Sequence, residues 1–109
     1  MVLIQLLLPT SFPEGSASRD ASAEISETRR ELTEKFGGLT AYVRSPAKGT
    51  WTAPDGDKAH DDVVMVEVVT GEFDRGWWRT YADRLAARFR QEAVHVRAMT
   101  IELLDDHAG

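Results

Sequence analysis

Six segments alternate in period along the chain, in the order strand, helix, strand, strand, helix, strand, and this order predicts an α+β fold. The two segments that are apolar on both faces, residues 2–8 and 63–70, are the first and third strands. Split βαβ connections with right-handed crossovers put those two strands in the centre of a four-stranded antiparallel sheet. Two amphipathic helices on one face of that sheet complete a ferredoxin-like βαββαβ sandwich. The rival arrangement keeps the same elements and shifts the last strand.

The first strand, 2–8, is interrupted only by Gln5 and stopped by Pro9. It lacks a basic leading region and is far shorter than the roughly 20 apolar residues of a membrane span, so it is read as a buried strand and the protein as cytoplasmic. Residues 10–19, with Pro13, Gly15 and several serines, form a loop. The first helix, 20–36, places Ile25, Leu32 and Phe36 on one stripe, with Ser22 as N-cap and Gly37-Gly38 as its stop. The second strand, 39–44, alternates with a period of two. Residues 45–62 carry Pro46, Gly49 and the run Pro54-Asp55-Gly56-Asp57, and predict an extended hairpin arm. The third strand is 63–70, bounded by Gly71. Asp74 caps a second helix, 75–91, with Trp78, Ala82 or Tyr81, Leu85 and Phe89 inward and Arg84, Arg88 and Arg90 mostly outside the stripe. The fourth strand, 94–103, leads into a polar tail at 105–109. One domain over 1–104 accounts for the length of 109 residues.

Composition narrows the function. There are 13 basic against 18 acidic residues, a net charge of −5, so no basic stripe for phosphates is available and nucleic-acid binding is not expected. With no cysteine, thiol catalysis and cysteine-held metals are excluded. Phosphate-binding glycine loops, the Gly-x-Ser-x-Gly elbow and the His-Glu-x-x-His helix do not occur. No metal or cofactor and no membrane partner is expected.

Alternation sorts the strands into faces. Ile4, Leu6 and Leu8, Val64, Val66 and Val68, Ala41 and Val43, and Val94, Val96 and Ala98 are assigned to the helices. The other face then holds Leu3, Gln5 and Leu7, Thr40, Tyr42 and Arg44, Met65 and Glu67, and His95, Arg97 and Met99. This face is too apolar for open water and too polar for a dry core, which points to a covered surface, either a dimer interface or a ligand cavity. Glu67 has two readings: a general base whose pKa burial would raise, or one half of a structural ion pair with Arg97 or Arg44. His95 is either an acid–base group or an interface histidine. Gln5, Thr40, Tyr42, Arg44, Arg97 and, from the arm, Trp51 are candidate ligand-binding residues. Trp51 could equally pin the arm to a partner. His60-Asp61-Asp62 is read as a polar loop, since adjacent strand residues point to opposite faces and cannot converge on a metal. One tryptophan of the Trp77-Trp78 pair is expected in the core and the other nearer the surface.

The block Lys35-Phe36-Gly37-Gly38-Leu39-Thr40-Ala41-Tyr42, the Gly49-x-Trp51 pair and the later Arg88-Phe89-Arg90-Gln91-Glu92 run resemble a family of short bacterial proteins built on a domain of unknown function. A related pattern occurs in secreted or lipid-anchored bacterial proteins. The resemblance covers most of the chain from the first helix onward. It implies a ferredoxin-like fold and transfers no catalytic residue, but draws attention to the surface joining Thr40, Tyr42, Trp51 and Gln91-Glu92. Two functions are therefore expected in competition. One is a non-catalytic binding module that dimerises through its sheet face, with a small-molecule ligand as a further partner. The other is a metal-independent enzyme of the dimeric α+β barrel type, a monooxygenase or isomerase, with Glu67 or His95 as base.

Overall fold

The computed structural model describes residues 1–13, 20–37, 40–44 and 63–104, with 40–44 placed by backbone alone. The element order is β1 (Val2–Pro9), α1 (Ser22–Phe36), β2 (Thr40–Arg44), β3 (Val63–Thr70), α2 (Arg75–Arg88) and β4 (His95–Thr100). The strands form one sheet in the order β2-β3-β1-β4, every neighbouring pair antiparallel. β1 and β3 thus occupy the centre, where their apolar character has the most surface to bury.

The core lies between the sheet and the two helices. Ile4, Leu6 and Leu8 stand opposite Val68, Val66 and Val64, and all but Val64 are completely buried. Against them pack Leu32 of α1 and Trp78, Tyr81 and Leu85 of α2, followed by Phe89 and Val94. Each such side chain contributes roughly 1.5–3 kcal/mol on burial. Of the tryptophan pair, Trp78 is the core member, stacked on Phe36 at 5.3 Å, and Trp77 is half-buried, stacked on Tyr81 at 4.8 Å.

Several sequence expectations are corrected at element ends. Ser22 is not the N-cap of α1. The Asp20 carboxylate accepts hydrogen bonds from the Ser22 backbone N–H (3.0 Å) and hydroxyl (2.6 Å), because an acidic oxygen competes better than a hydroxyl for a free helix N–H. Gly37 ends the helix in the left-handed conformation at φ 78°, as expected. Asp74 caps α2 through the Trp77 N–H at 3.0 Å. α2 ends at Arg88 rather than Gln91. Arg90 takes the left-handed position at φ 57°, and the Gln91 N–H bonds to the Ala86 carbonyl at 2.9 Å while the Arg90 N–H bonds to that of Ala87 at 3.2 Å. That bonding pattern closes a helix in the way a glycine usually does, here without one. β4 is shorter than 94–103 and ends at Thr100, and Ala98, assigned to the helix side, is exposed because the helix layer does not reach over it. Arg88 turns inward rather than lying outside the stripe. Residues 14–19, the arm at 45–62 with Trp51 and His60-Asp61-Asp62, and the tail at 105–109 lie outside the described residues.

Candidate functional site

The sheet face turned away from the helices carries a polar row in strict register. Glu67 of β3, Gln5 of β1 and Arg97 of β4 are direct cross-strand neighbours, and Thr40 of β2 stands opposite Glu67 at the end of the row. Arg97 Nε donates to Gln5 Oε1 at 2.7 Å, and Gln5 Nε2 donates to Glu67 Oε2 at 2.6 Å. The carboxamide carries an acceptor oxygen and a two-proton donor nitrogen at its tip, so it can serve a cation on one side and an anion on the other. The Glu67–Arg97 ion pair considered from the sequence is not formed: β1 lies between the two strands, and Gln5 bridges what a direct contact cannot span.

Apolar rows flank this line on both sides. Leu7 stands between Met65 and His95, and Leu3 between Val69 and Met99. Met65 is buried, Leu3 and Leu7 are half-buried, and Val69 and Met99 are exposed at 43% and 40%. His95 is exposed one row from the Glu67–Gln5 contact, and no hydrogen bond joins His95 to Glu67 among the described residues. Thr40, Tyr42 and Arg44 occupy register positions opposite Glu67, Met65 and Val63, and their side chains lie outside what is described. The structure therefore joins Gln5, Glu67 and Arg97 into one contact chain and leaves His95 apart from it. No group of three acidic or histidine residues able to hold a metal occurs among the described residues.

A second polar cluster, between the helices, was missed by the sequence reading. Glu31 of α1 accepts from Arg88 Nη1 and Nη2 at 2.9 Å each, from the Tyr81 hydroxyl at 2.8 Å and from Arg84 at 3.4 Å. Arg88 also donates to Thr28 Oγ1 at 2.8 Å, and Thr28 in turn donates to the Glu24 carbonyl at 2.8 Å. The Arg88 hydrogen bonds hold the Glu31 carboxyl below its usual range, against an opposing effect of burial. Burial, followed by the bond to Glu31, pushes the Tyr81 phenol well above its ordinary value. The signal was present at Thr28, which fills the gap in the Ile25–Leu32 stripe and so had to point inward. With every polar member satisfied by another, this cluster reads as a clamp between α1 and α2.

Comparison with family models, curated proteins and solved structures finds no match to this chain. No helix among the described residues is long and apolar enough to cross a membrane.

Proposed function

We propose that the chain is a ferredoxin-like, non-catalytic interaction module that pairs with a second copy of itself through the sheet face bearing Gln5, Glu67 and Arg97. The observation that carries this reading is the charge order of the polar row, negative at Glu67, neutral at Gln5 and positive at Arg97, spaced evenly across adjacent strands. A two-fold axis lying in the interface, parallel to β1 and passing over Gln5, brings Arg97 of each copy over Glu67 of the other. The same operation sets Leu3 on Leu3, Leu7 on Leu7 and Met99 over Val69, with His95 over Met65 as the one polar-on-apolar pair of these rows. A two-fold axis along the row would stack Arg97 on Arg97 and Glu67 on Glu67, which charge repulsion disfavours. The pairing is therefore self-complementary in one orientation, as an isologous interface requires, with the strands of the two sheets aligned.

The enzyme reading has less support. Its two candidate bases, Glu67 and His95, are not in hydrogen-bond contact, and the Glu67 carboxylate accepts from Gln5 Nε2. The deciding measurement is the mass of the full chain by light scattering over a concentration series. A dimer mass near twice 12.1 kDa is expected. A monomer at the highest concentration overturns the reading.

A further inference from the structure

The helix-bearing side of the sheet has an opening of its own. α2 leaves the outer part of β4 open, where Val96 is half-buried and Ala98 exposed. The gap is a cleft of about 360 Å³ between α2 and β4, at the lower end of the range of ligand pockets, about 300–1,000 Å³. Val2, Ala82, Val96 and Ala98 give it an accessible apolar lining beside the buried Trp78, and Arg75 and Arg79, one helical turn apart on α2, stand at its border.

These two arginines differ from Arg30, Arg84 and Arg88 of the helix layer. Arg84 and Arg88 are engaged by Glu31, and Arg30 by Glu27 and Glu34. Arg75 rests on the Phe73 ring at 5.4 Å, a contact that positions the guanidinium without neutralising it. Neither Arg75 nor Arg79 forms an ion pair or side-chain hydrogen bond among the described residues. The neighbouring acid, Asp74, is occupied in capping the Trp77 N–H. Two uncommitted cations beside an apolar floor suit one chemical class. A purely polar anion would leave the floor unfilled, and a neutral hydrocarbon would leave both guanidinium groups unused.

We propose that the α2–β4 cleft binds a small amphipathic anion, a medium-chain carboxylate, with its head at Arg75 and Arg79 and its chain laid against Val2, Ala82, Val96 and Ala98. The cleft opens on the helix side, and only Arg97 and Met99 at its β4 border also belong to the face assigned to self-association; ligand shifts on α2 and the mass of the chain are separate readouts, so either reading can fail without the other.

The test is a titration of the isotope-labelled full chain with decanoate below its micelle concentration, followed by amide and indole NMR shifts. Saturable shifts are expected at Arg79, Val96, Ala98, Thr100 and the Trp78 indole, with none for acetate or decyltrimethylammonium. Arg79→Gln, at an exposed position, should weaken decanoate binding, and the pair Arg75→Glu with Arg79→Glu should weaken it by about tenfold or more. Ala98→Trp, also at an exposed position, should fill the cleft and abolish the shifts while the dispersion of the remaining spectrum reports an intact fold. An equal response to the cationic detergent, shifts centred on Gln5 and Glu67, binding unchanged in a folded Arg79→Gln or Ala98→Trp chain, or no saturable shift at all would each overturn the assignment.

Discussion

Arg88 on α2 holds Glu31 on α1 in a two-pronged pair, Nη1 to Oε1 and Nη2 to Oε2, each at 2.9 Å. Both side chains are mostly covered, at 17% and 22% exposure, so water screens the pair less than it would on the surface. Arg88→Ala removes both prongs and the Thr28 contact, and a loss of about 2–3 kcal/mol of unfolding free energy in urea is expected. Arg88→Lys keeps the charge but not the fork, and should recover only part of that loss.

The same pair makes stability acid-sensitive. The folded-state pKa of Glu31 is lowered, so its contribution is complete above its ordinary value of 4.5 and is lost as pH falls through the lower folded value. Glu31→Gln should therefore be less stable than the parent at pH 7, with the difference shrinking as pH falls below about 4.5. A difference independent of pH would remove Glu31 as the source.

At the alkaline end the sign reverses. The Tyr81 pKa is raised by burial and by its bond to Glu31, so its contribution is intact below its ordinary value of 10.0 and is lost as pH rises beyond it. Of the two tyrosines in the chain, Tyr81 should ionise late in an alkaline absorbance titration. Tyr81→Phe should delete that late step.

The two-fold pairing admits a mixing test. Glu67→Arg gives a face with two cations in the row, and Arg97→Glu a face with two anions. Each variant alone should stay monomeric by light scattering, because like charges meet across the interface. Mixed in equal amounts, they should form a heterodimer, since every contact becomes opposite in sign. Failure of the mixture to associate, with both variants folded, would rule out the Arg97–Glu67 orientation.

Arg90 offers a backbone measurement. Its φ of 57° disfavours any residue with a Cβ by roughly 1 kcal/mol. Arg90 also lies over the Phe12 ring at 4.7 Å. Arg90→Ala loses the ring contact and keeps the strain, whereas Arg90→Gly loses both. The glycine variant should be the more stable of the two by about 1 kcal/mol in thermal or urea unfolding.

The strand assignments were legible because alternation is a local property. Ile4, Leu6, Leu8, Val64, Val66 and Val68 could be sorted by counting in twos, and the centre of the sheet followed from which segments were apolar on both faces. The role of Gln5 was less legible. Its place on the face was readable, but its bridging of Glu67 and Arg97 depends on register across three strands, which no single segment encodes. The Glu31–Arg88 clamp was hidden for a related reason: charged residues beside an apolar helix stripe look solvated until the opposing helix is known. The ends of α2 and β4 were overextended because sequence periodicity continues past the point where tertiary contacts stop.

β1 is bonded on one side to β3 and on the other to β4, and the Gln5–Arg97 contact joins positions 92 residues apart. During synthesis at about 5–20 residues per second, that separation means roughly 5–20 s in which β1 exists and its β4 neighbour does not. Throughout that interval an almost wholly aliphatic strand has at least one unpaired edge, the kind of edge on which chains aggregate. A central strand of the finished sheet is thus also an aggregation hazard of the nascent chain, and its closure by β4 is a contact of high sequence separation, the kind that slows folding.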